Sequence, residues 1–173
     1  MNFRRCEKSD FDRLQAFYQF VSSHTPDMEK YGRWIYGKHP TDAIIQSHID
    51  AGCMYCWEKD GSILAATALT PFQGNDYHST NWNIDAKDDE VLVVHILCVS
   101  PNYQRTGVAP KVMKDVIELA AKLGKKAVRL DALSCNEPAH RLYEKLGFKK
   151  CGVQNWYTRN AGWIDFYLYE YCL

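Results

Sequence analysis

The chain has 173 residues, of which 46% are hydrophobic and 24% charged, and these proportions are typical of a globular domain and exclude general disorder. Lys and Arg number 21, as do Asp and Glu, and this balance argues against nucleic-acid or polybasic membrane binding, which needs an excess of cations. No apolar run approaches the roughly 20 residues that cross a bilayer, and no signal segment is apparent. Seven scattered cysteines suit reduced thiols. We therefore expect a single cytoplasmic domain over residues 1–173.

Two helices are predicted in the first third of the chain. Ser9 and Asp12 form a variant of the capping box, and apolar residues then recur at helical spacing: Phe11, Leu14, Phe17, Tyr18 and Val21. A second, shorter helix is predicted between the N-cap candidate Thr41 and Gly52. The intervening residues 22–40 are rich in aromatic and turn-forming side chains.

Three strands are predicted in the middle of the chain. Cys53–Glu58 and Ser62–Thr70 flank an Asp-Gly pair and form a predicted hairpin. The polar residues 71–88 form a loop of a length that is usually functional or mobile. Val91–Val99 is the most apolar segment and does not alternate, so we expect a central strand that is covered on both faces.

Two helices and three strands are predicted in the remaining sequence. Their bounds are a helix from about Gly107 to Leu123, a strand at Ala127–Asp131, a helix over 136–146 with Asn136 as N-cap, and strands at Phe148–Val153 and Ile164–Tyr171. The element order is β-α-α-β-β-β-α-β-α-β-β. It predicts an α/β three-layer fold, with a mixed, mostly antiparallel central sheet of about six to seven strands flanked by helices.

The junction between the central strand and the following helix has the features of a phosphate-binding loop. It reads Gln104-Arg105-Thr106-Gly107-Val108-Ala109. Backbone N–H groups at a helix N-terminus lack intrahelical partners and lie at the positive end of the helix dipole. Gly107 permits close approach of a ligand to the backbone. The pattern predicts an anion site, although an ordinary strand–helix turn has similar residues.

Two segments resemble signatures of the GNAT acetyltransferase superfamily. Residues 97–109 resemble its acetyl-coenzyme A motif, in which a strand leads through Gln/Arg-x-x-Gly-x-Gly/Ala into a helix. Residues 136–148, NEPAHRLYEKLGF, resemble its second signature. Two departures are Arg105, where many members have Gly, and Pro110, which the first helical turn tolerates. The resemblance implies the GNAT-like three-layer fold.

The resemblance also implies which residues contact acetyl-CoA. The main chain around Cys98, at Leu97 and Val99, would bind the pantetheine arm, and Asn136 would reach the coenzyme from its helix cap. The pyrophosphate would lie on the loop formed by Gln104, Arg105, Thr106, Gly107, Val108, Ala109 and Pro110. Arg105 would add a cation there. The alternatives are that the strand residues are plain core and that Asn136 is only an N-cap.

Two residues are candidates for proton transfer. The resemblance implies that Tyr143 protonates the coenzyme thiolate, although it also shares a helical stripe with apolar residues and could simply pack there. His95 is the candidate base because a polar ring in an apolar strand needs a purpose or a partner; alternation places it on one face with Val93, Leu97 and Val99. A satisfied core histidine is its alternative, and Glu90 and Asp89 are competing bases that would act through water.

The acceptor is expected to enter through residues 22–40 and 71–88, with Tyr31, Trp34 and Trp82 as candidate contacts. These three could equally be core and loop anchors. A zinc site is not expected, because Cys53-Met54-Tyr55-Cys56 has no second pair of ligands and a strand turns its two sulfurs to opposite faces.

The predicted function is transfer of an acetyl group from acetyl-CoA to a primary amine of a small molecule or peptide, by direct attack in a ternary complex. A non-catalytic acyl-CoA-binding or regulatory module is the alternative from another class, and a longer acyl donor is a third possibility. No metal, nucleic acid or membrane is expected as partner. A homodimer, for example through the last strand, is left open.

Overall fold

A seven-stranded mixed sheet forms the centre of the protein, and the computed structural model describes all residues 1–173. The strands are β1 (Asn2–Arg5), β2 (Met54–Lys59), β3 (Ser62–Thr70), β4 (Val91–Val99), β5 (Ala127–Leu133), β6 (Lys149–Thr158) and β7 (Gly162–Cys172). They lie in the order β1-β2-β3-β4-β5-β7-β6. The β4–β5 pair is parallel and every other pair is antiparallel. The predicted fold class is confirmed.

Helices cover both faces of the sheet. They are α1 (Phe11–His24), α2 (Met28–Tyr31), α3 (Asp42–Asp50), α4 (Val108–Lys122) and α5 (Glu137–Lys145). Apolar residues of α1 and α3 pack on one face, and those of α4 and α5 pack on the other. The single-turn helix α2 was not predicted. None of the five helices has the length and apolar content needed to cross a bilayer.

The sheet opens between β4 and β5. The two strands pair only from Val91 to Val94, opposite Ala127 to Leu130, although β4 continues to Val99. The first four residues of β4 are buried, and the remaining five are only half-buried. The expectation of a strand covered on both faces therefore holds for half of its length, because β4 has no neighbour on one side beyond Val94.

A β-bulge lies in β4 at the start of this opening. Ile96 has a φ of +43°, and the register with β3 shifts at this position. Buried side chains hold the distorted backbone, since the Tyr18 hydroxyl donates to the Ile96 carbonyl at 3.0 Å and the Thr67 hydroxyl donates to the His95 carbonyl at 2.9 Å. A positive φ at a β-branched residue costs conformational free energy, so it persists only where surrounding contacts impose it.

The bulge changes which side chains share a face. Leu97 and Val99 pack in the cluster beneath α4, whereas Ile96 and Cys98 pack in the cluster beneath α1. His95 lies opposite Ala68 of β3, on the α1 and α3 side. The expectation that His95 shares a face with Leu97 and Val99 is therefore wrong, because the extra residue at the bulge reverses the alternation.

Residues 71–90 form a loop that is anchored to the sheet. Arg129 on β5 is 1% exposed, and its guanidinium binds the Glu170 carboxylate at 2.8 Å. The same guanidinium donates to Gln73 Oε1 at 2.5 Å and to the Ile84 carbonyl at 3.2 Å, and it lies 4.2 Å from the ring centre of Trp82. The buried ion pair of Arg129 and Glu170 therefore anchors this long polar segment to the sheet. Of the two expectations for the segment, a functional loop or a mobile loop, the anchoring argues against the second.

The last two strands form a longer hairpin than predicted. Pairing of β6 with β7 continues to Thr158 opposite Gly162, so the hairpin includes Trp156 and Tyr157. Polar residues interrupt β6 in sequence because it is an edge strand with little cover. Since β7 lies between β5 and β6, the last strand offers no free edge for pairing between two copies.

Candidate active site

A cavity of about 420 Å³ lies where β4 and β5 separate. This volume is within the range of small-molecule sites. Its aromatic wall consists of Trp34, Tyr77, Tyr143, Trp156, Tyr157 and Phe166. Its polar and titratable side chains include His39, Asp76, His95, Asp131, Asn136 and Asn160. The cavity combines residues that are far apart in sequence.

The N-terminus of α4 presents a row of free backbone donors. The N–H groups of residues 105–109 make no hydrogen bond to the rest of the chain. Residues 105–107 are exposed, and a Cβ placed on Gly107 would meet no atom within 4 Å. Pro110 is the third residue of the helix, where its missing N–H costs no helical hydrogen bond. These residues fit a pyrophosphate group.

Two residues of this turn have left-handed backbone conformations. Gly107 has a φ of +86° and Arg105 a φ of +61°. The second value explains why glycine suits the position that Arg105 occupies, because a left-handed conformation is strained for a residue with a Cβ. Arg105 is exposed in the same turn as the free N–H groups. A cation at this position, as the resemblance implies, comes at the cost of local strain.

The free edge of β4 runs from the bulge toward this turn. Ser100 donates its N–H to Leu64 of β3, so the alternation of an antiparallel strand turns the main-chain groups of Leu97 and Val99 to the opposite, open edge. The carbonyl of Val99 receives only a 3.5 Å contact from the Gln104 side chain. Cys98 faces the α1 cluster, and burial raises the pKa of its thiol. Its main-chain groups point to β3, opposite Ala66, by the same alternation, so the predicted coenzyme contact at Cys98 itself is not supported.

Tyr143 on α5 is 7% exposed and lines the cavity. Its ring packs 5.8 Å from that of Phe148 and 5.7 Å from that of Tyr169, so the packing role is real. Its hydroxyl has no partner in the protein and is not sealed off. Burial raises the pKa of the Tyr143 phenol, and the nearby Asp131 raises it further. The phenol is neutral at physiological pH and available as a proton donor.

His95 also lines the cavity. Its Nε2 lies 3.1 Å from the Thr70 hydroxyl oxygen, which also lies 3.1 Å from the Phe72 carbonyl oxygen, so the hydroxyl either donates to the carbonyl and accepts from Nε2 or donates to Nε2. Burial and the neighbouring His48 lower the pKa of His95 to about 4. The ring is neutral, as expected from its burial, but its basicity is only that of an ordinary carboxylate.

Asp131 is a cavity residue that was not predicted from the sequence. On β5, Leu130 and Ala132 pack toward α4, so Asp131 points to the other face, toward the loop that carries Asp76. It makes no hydrogen bond and lines the cavity. Burial, together with a smaller contribution from the Asp76 charge, raises the pKa of Asp131 to about 7. A carboxyl group at the end of a buried strand was the only available sequence signal.

The other predicted residues divide into those at the cavity and those outside it. Asn136 caps α5 by accepting from the Ala139 N–H at 3.3 Å, and it lines the cavity. Trp34 also lines it. Tyr31 and Trp82 do not lie in its wall, because Tyr31 is on the short helix α2 and Trp82 packs behind Tyr77, with ring centres 5.5 Å apart. Their predicted contact with the acceptor is not supported.

The competing bases at the start of β4 lie away from the cavity. Glu90 pairs with Lys126 at 2.8 Å and accepts from the Lys87 N–H, and these contacts lower its pKa. Asp89 is exposed. Neither residue lines the cavity, because the opening is at the opposite end of the strand. No three His, Cys, Asp or Glu side chains are arranged to hold a metal ion.

Comparison with known proteins gives this architecture a family. The sequence profile described as the acetyltransferase (GNAT) family matches residues 14–148, which include both signature segments and most of the sheet. The chain belongs to the GNAT acetyltransferase family. This GNAT protein is also similar to curated relatives and to solved structures.

The curated relatives are frog proteins. The chain is 30% identical over 102 residues to the protein named probable N-acetyltransferase camello from Xenopus tropicalis. This match covers 59% of this chain and 41% of that protein. The chain is 33% identical over 67 residues to N-acetylaspartate synthetase from the same species, covering 39% of this chain and 25% of that protein. The matches thus span less than half the length of either relative.

Solved structures share the fold of this GNAT protein over its whole length. A GNAT family acetyltransferase from Streptococcus agalactiae has a TM-score of 0.75 at 17% identity, covering 99% of this chain and 95% of that one. The protein yncA from Salmonella typhimurium, solved with its cofactor acetyl-CoA, has a TM-score of 0.65 at 18% identity, covering 99% and 93%.

Proposed function

We propose that this protein transfers an acetyl group from acetyl-CoA to a primary amine of a small molecule or peptide, by direct attack while both are bound. The observation that carries the proposal is the continuity of three features: the free N–H groups of residues 105–109, the open edge of β4 and the cavity at Tyr143. The first two suit a pyrophosphate and an extended amide-containing arm. The third suits the reacting groups.

The side chains at the cavity fit the proton transfers of this reaction. Acetyl transfer forms a C–N bond and breaks the thioester C–S bond, so the amine nitrogen loses protons and the departing sulfur gains one. Tyr143 is a neutral phenol whose hydroxyl has no protein partner, and it supplies the proton to sulfur. The candidate bases are His95 and Asp131, and the pKa of Asp131 is the closer to neutrality.

A non-catalytic acyl-CoA-binding module remains the second candidate, and the cavity favours the enzyme over it. A binding module needs the α4 turn and the strand edge, but it has no use for a half-buried carboxyl group beside the phenol. A module of this kind would bind the coenzyme and release no acetylated amine. Comparison of acetyl-, propionyl- and succinyl-CoA as donors tests the third possibility, that the protein transfers a longer acyl group.

Calorimetric titration with acetyl-CoA tests the proposal through Ala109→Glu and its control Ala121→Glu. A carboxylate at Ala109, in the first turn of α4, favours the helix dipole but repels a bound pyrophosphate. Ala121 is exposed in the last turn, where the same change is mildly unfavourable to the helix. We expect Ala109→Glu to lose at least tenfold in affinity and Ala121→Glu to bind as wild type. Absence of acetyl-CoA binding to the wild-type protein refutes the function.

A further inference from the structure

The cavity has an excess of negative charge. It contains the carboxyl groups of Asp76 and Asp131, and no lysine or arginine side chain lines it. Its two imidazoles, His39 and His95, are neutral at physiological pH because burial lowers the pKa of each. A ligand with a negative charge would therefore meet repulsion with no compensating cation.

A buried hydroxyl in the same wall also lacks a partner. Tyr77 is 5% exposed, lines the cavity, and its hydroxyl oxygen makes no hydrogen bond. The ring is held in place between Trp82, at 5.5 Å, and Trp156, at 6.2 Å. Buried polar groups are almost always paired, but this oxygen is closed to solvent, so Tyr77 contributes its ring to the cavity wall and no hydrogen bond to a ligand.

The walls around the two carboxyl groups are aromatic. Trp34, Tyr77, Trp156, Tyr157 and Phe166 all contribute to the lining, and the rings of Trp156 and Phe166 are 5.1 Å apart. Ring faces attract cations and also accept apolar groups. An alkylammonium or arylalkylammonium ion matches both the charge and the walls.

We propose that the acceptor is a small primary amine that enters as an ammonium ion and carries no carboxylate, and that Asp131 binds this ammonium and takes its proton. The inference rests on the proposed acetyl transfer and names its substrate class. Asp76, on the exposed side of the cavity, attracts the cation or a second positive charge on the same molecule. Free α-amino acids are excluded because their carboxylate would face the two aspartates.

The proton transfers balance with this assignment. The ammonium ion gives one proton to the Asp131 carboxylate, and the neutral nitrogen forms the C–N bond. The second N–H proton replaces the one that Tyr143 gives to the departing sulfur. The products are the amide, the thiol and a protonated Asp131, which returns its proton to water.

Matched pairs of acceptors test the substrate class on the wild-type protein. Tyramine and tyrosine differ only in the α-carboxylate, as do cadaverine and lysine. The acetylated amine is measured by mass spectrometry, since the exposed Cys172 would react with thiol reagents. With saturating acetyl-CoA we expect kcat/KM at least tenfold higher for the carboxylate-free member of a pair. Equal or faster turnover of the amino acids overturns the inference and leaves acetyl transfer intact.

Isosteric variants test Asp131 itself, with an equilibrium readout. Binding of tyramine and cadaverine to the CoA-loaded protein is measured by calorimetry for Asp131→Asn, Asp76→Asn and the control Asp85→Asn, which changes an exposed aspartate of the same loop outside the cavity. We expect Asp131→Asn to weaken binding at least tenfold, Asp76→Asn to weaken it less, and Asp85→Asn to leave it unchanged.

The remaining outcomes separate the two proposals. Unchanged amine binding by a folded Asp131→Asn protein contradicts the role of Asp131, and failure of both amines to bind a protein that does bind acetyl-CoA contradicts the substrate class. If acetyl-CoA itself does not bind, the proposed function and this inference fall together. Asp131→Asn is expected to fold, since it removes a charge from a half-buried position, and the acceptor pairs test the substrate class on the wild-type protein without it.

Discussion

In the proposed reaction, two residues of the cavity have opposite proton-transfer tasks, and the surroundings of each residue suit it to its task. Tyr143 is kept neutral because burial and the nearby Asp131 raise the pKa of its phenol. Asp131 has a pKa raised to about 7, so its carboxylate is a stronger base than an ordinary aspartate and is still substantially ionised at neutral pH. Titratable groups with separated roles are common in active sites.

The pH dependence of catalysis distinguishes Asp131 from His95 as the base. A carboxyl group acts as a base only when ionised, so we expect kcat/KM to rise with pH through a limb centred near 7, the pKa of Asp131. Asp131→Asn is expected to remove this limb and His95→Ala to retain it, because the pKa of His95 is about 4. Rates from pH 5 to 9 provide the measurement. A limb lost only in His95→Ala would restore the histidine as the base.

Tyr143→Phe separates the role of the hydroxyl from that of the ring. Phenylalanine retains the packing against Phe148 and Tyr169, and no hydrogen bond within the protein is lost. We expect kcat to fall about 100-fold, as for loss of a general acid, with affinity for CoA and thermal stability unchanged. Single-turnover rates and calorimetry check this. Equal turnover would mean that the residue only packs.

At the scale of single elements, Arg105 gives the turn before α4 a positive charge and lowers the folding stability of that turn. The left-handed Arg105 is strained by about 1 kcal/mol relative to glycine. Arg105→Gly and Arg105→Ala both remove the guanidinium, but only glycine relieves the strain. We expect the glycine variant to be about 1 kcal/mol more stable than the alanine variant in urea unfolding, with an equal loss of CoA affinity. Equal stabilities would show that this turn relaxes readily.

The loop anchor at Arg129 predicts a large and non-additive loss of stability. Arg129→Met leaves the buried Glu170 carboxylate without its cation, and removing one partner of such a pair costs about 3–5 kcal/mol. The double variant Arg129→Met/Glu170→Met removes both charges, so we expect it to lose clearly less than the sum of the two single losses. Urea unfolding measures all three. Additive losses would mean that the two charges do not interact.

The sequence predicted the elements whose signals are local. The helix after Gly107 was recognisable from its apolar stripe and its terminal glycines, and its observed bounds differ by one residue at each end. The bulge at Ile96 was not, because Tyr18 and Thr67 impose it from other elements. Asp131 was missed for a related reason, since its raised pKa comes from the fold around it.

At the scale of the whole molecule, the proposed function divides the site at the opening in the sheet into two halves. The coenzyme would lie beside α4 and α5, and the acceptor beneath residues 71–90 and the β6–β7 hairpin. The two proposed halves meet at the cavity that contains Tyr143 and Asp131. The family signatures cover only the first half, so sequence comparison locates the coenzyme residues better than the acceptor residues.

Amide hydrogen exchange provides a test of this division. Acetyl-CoA is expected to protect the free N–H groups of residues 105–109 and the main chain of Leu97 and Val99, because it supplies their missing acceptors. Amides within α3 serve as the internal control and should not change. Mass spectrometry of peptides from the two states gives the measurement. Protection confined to the β6–β7 hairpin would place the coenzyme in the acceptor half and contradict this division.

The interrupted pairing of β4 and β5 also bears on which chains could pair with this edge. An exposed strand edge invites a foreign strand, and proteins usually guard such edges with charge or with covering segments. Here the unsatisfied peptide groups of Leu97 and Val99 are recessed between two diverging strands that remain joined at one end. The proposed coenzyme arm is a single extended chain, whereas a neighbouring molecule's sheet would have to bring further strands into the gap with it. We therefore expect this edge to accept a ligand in preference to a strand of another molecule.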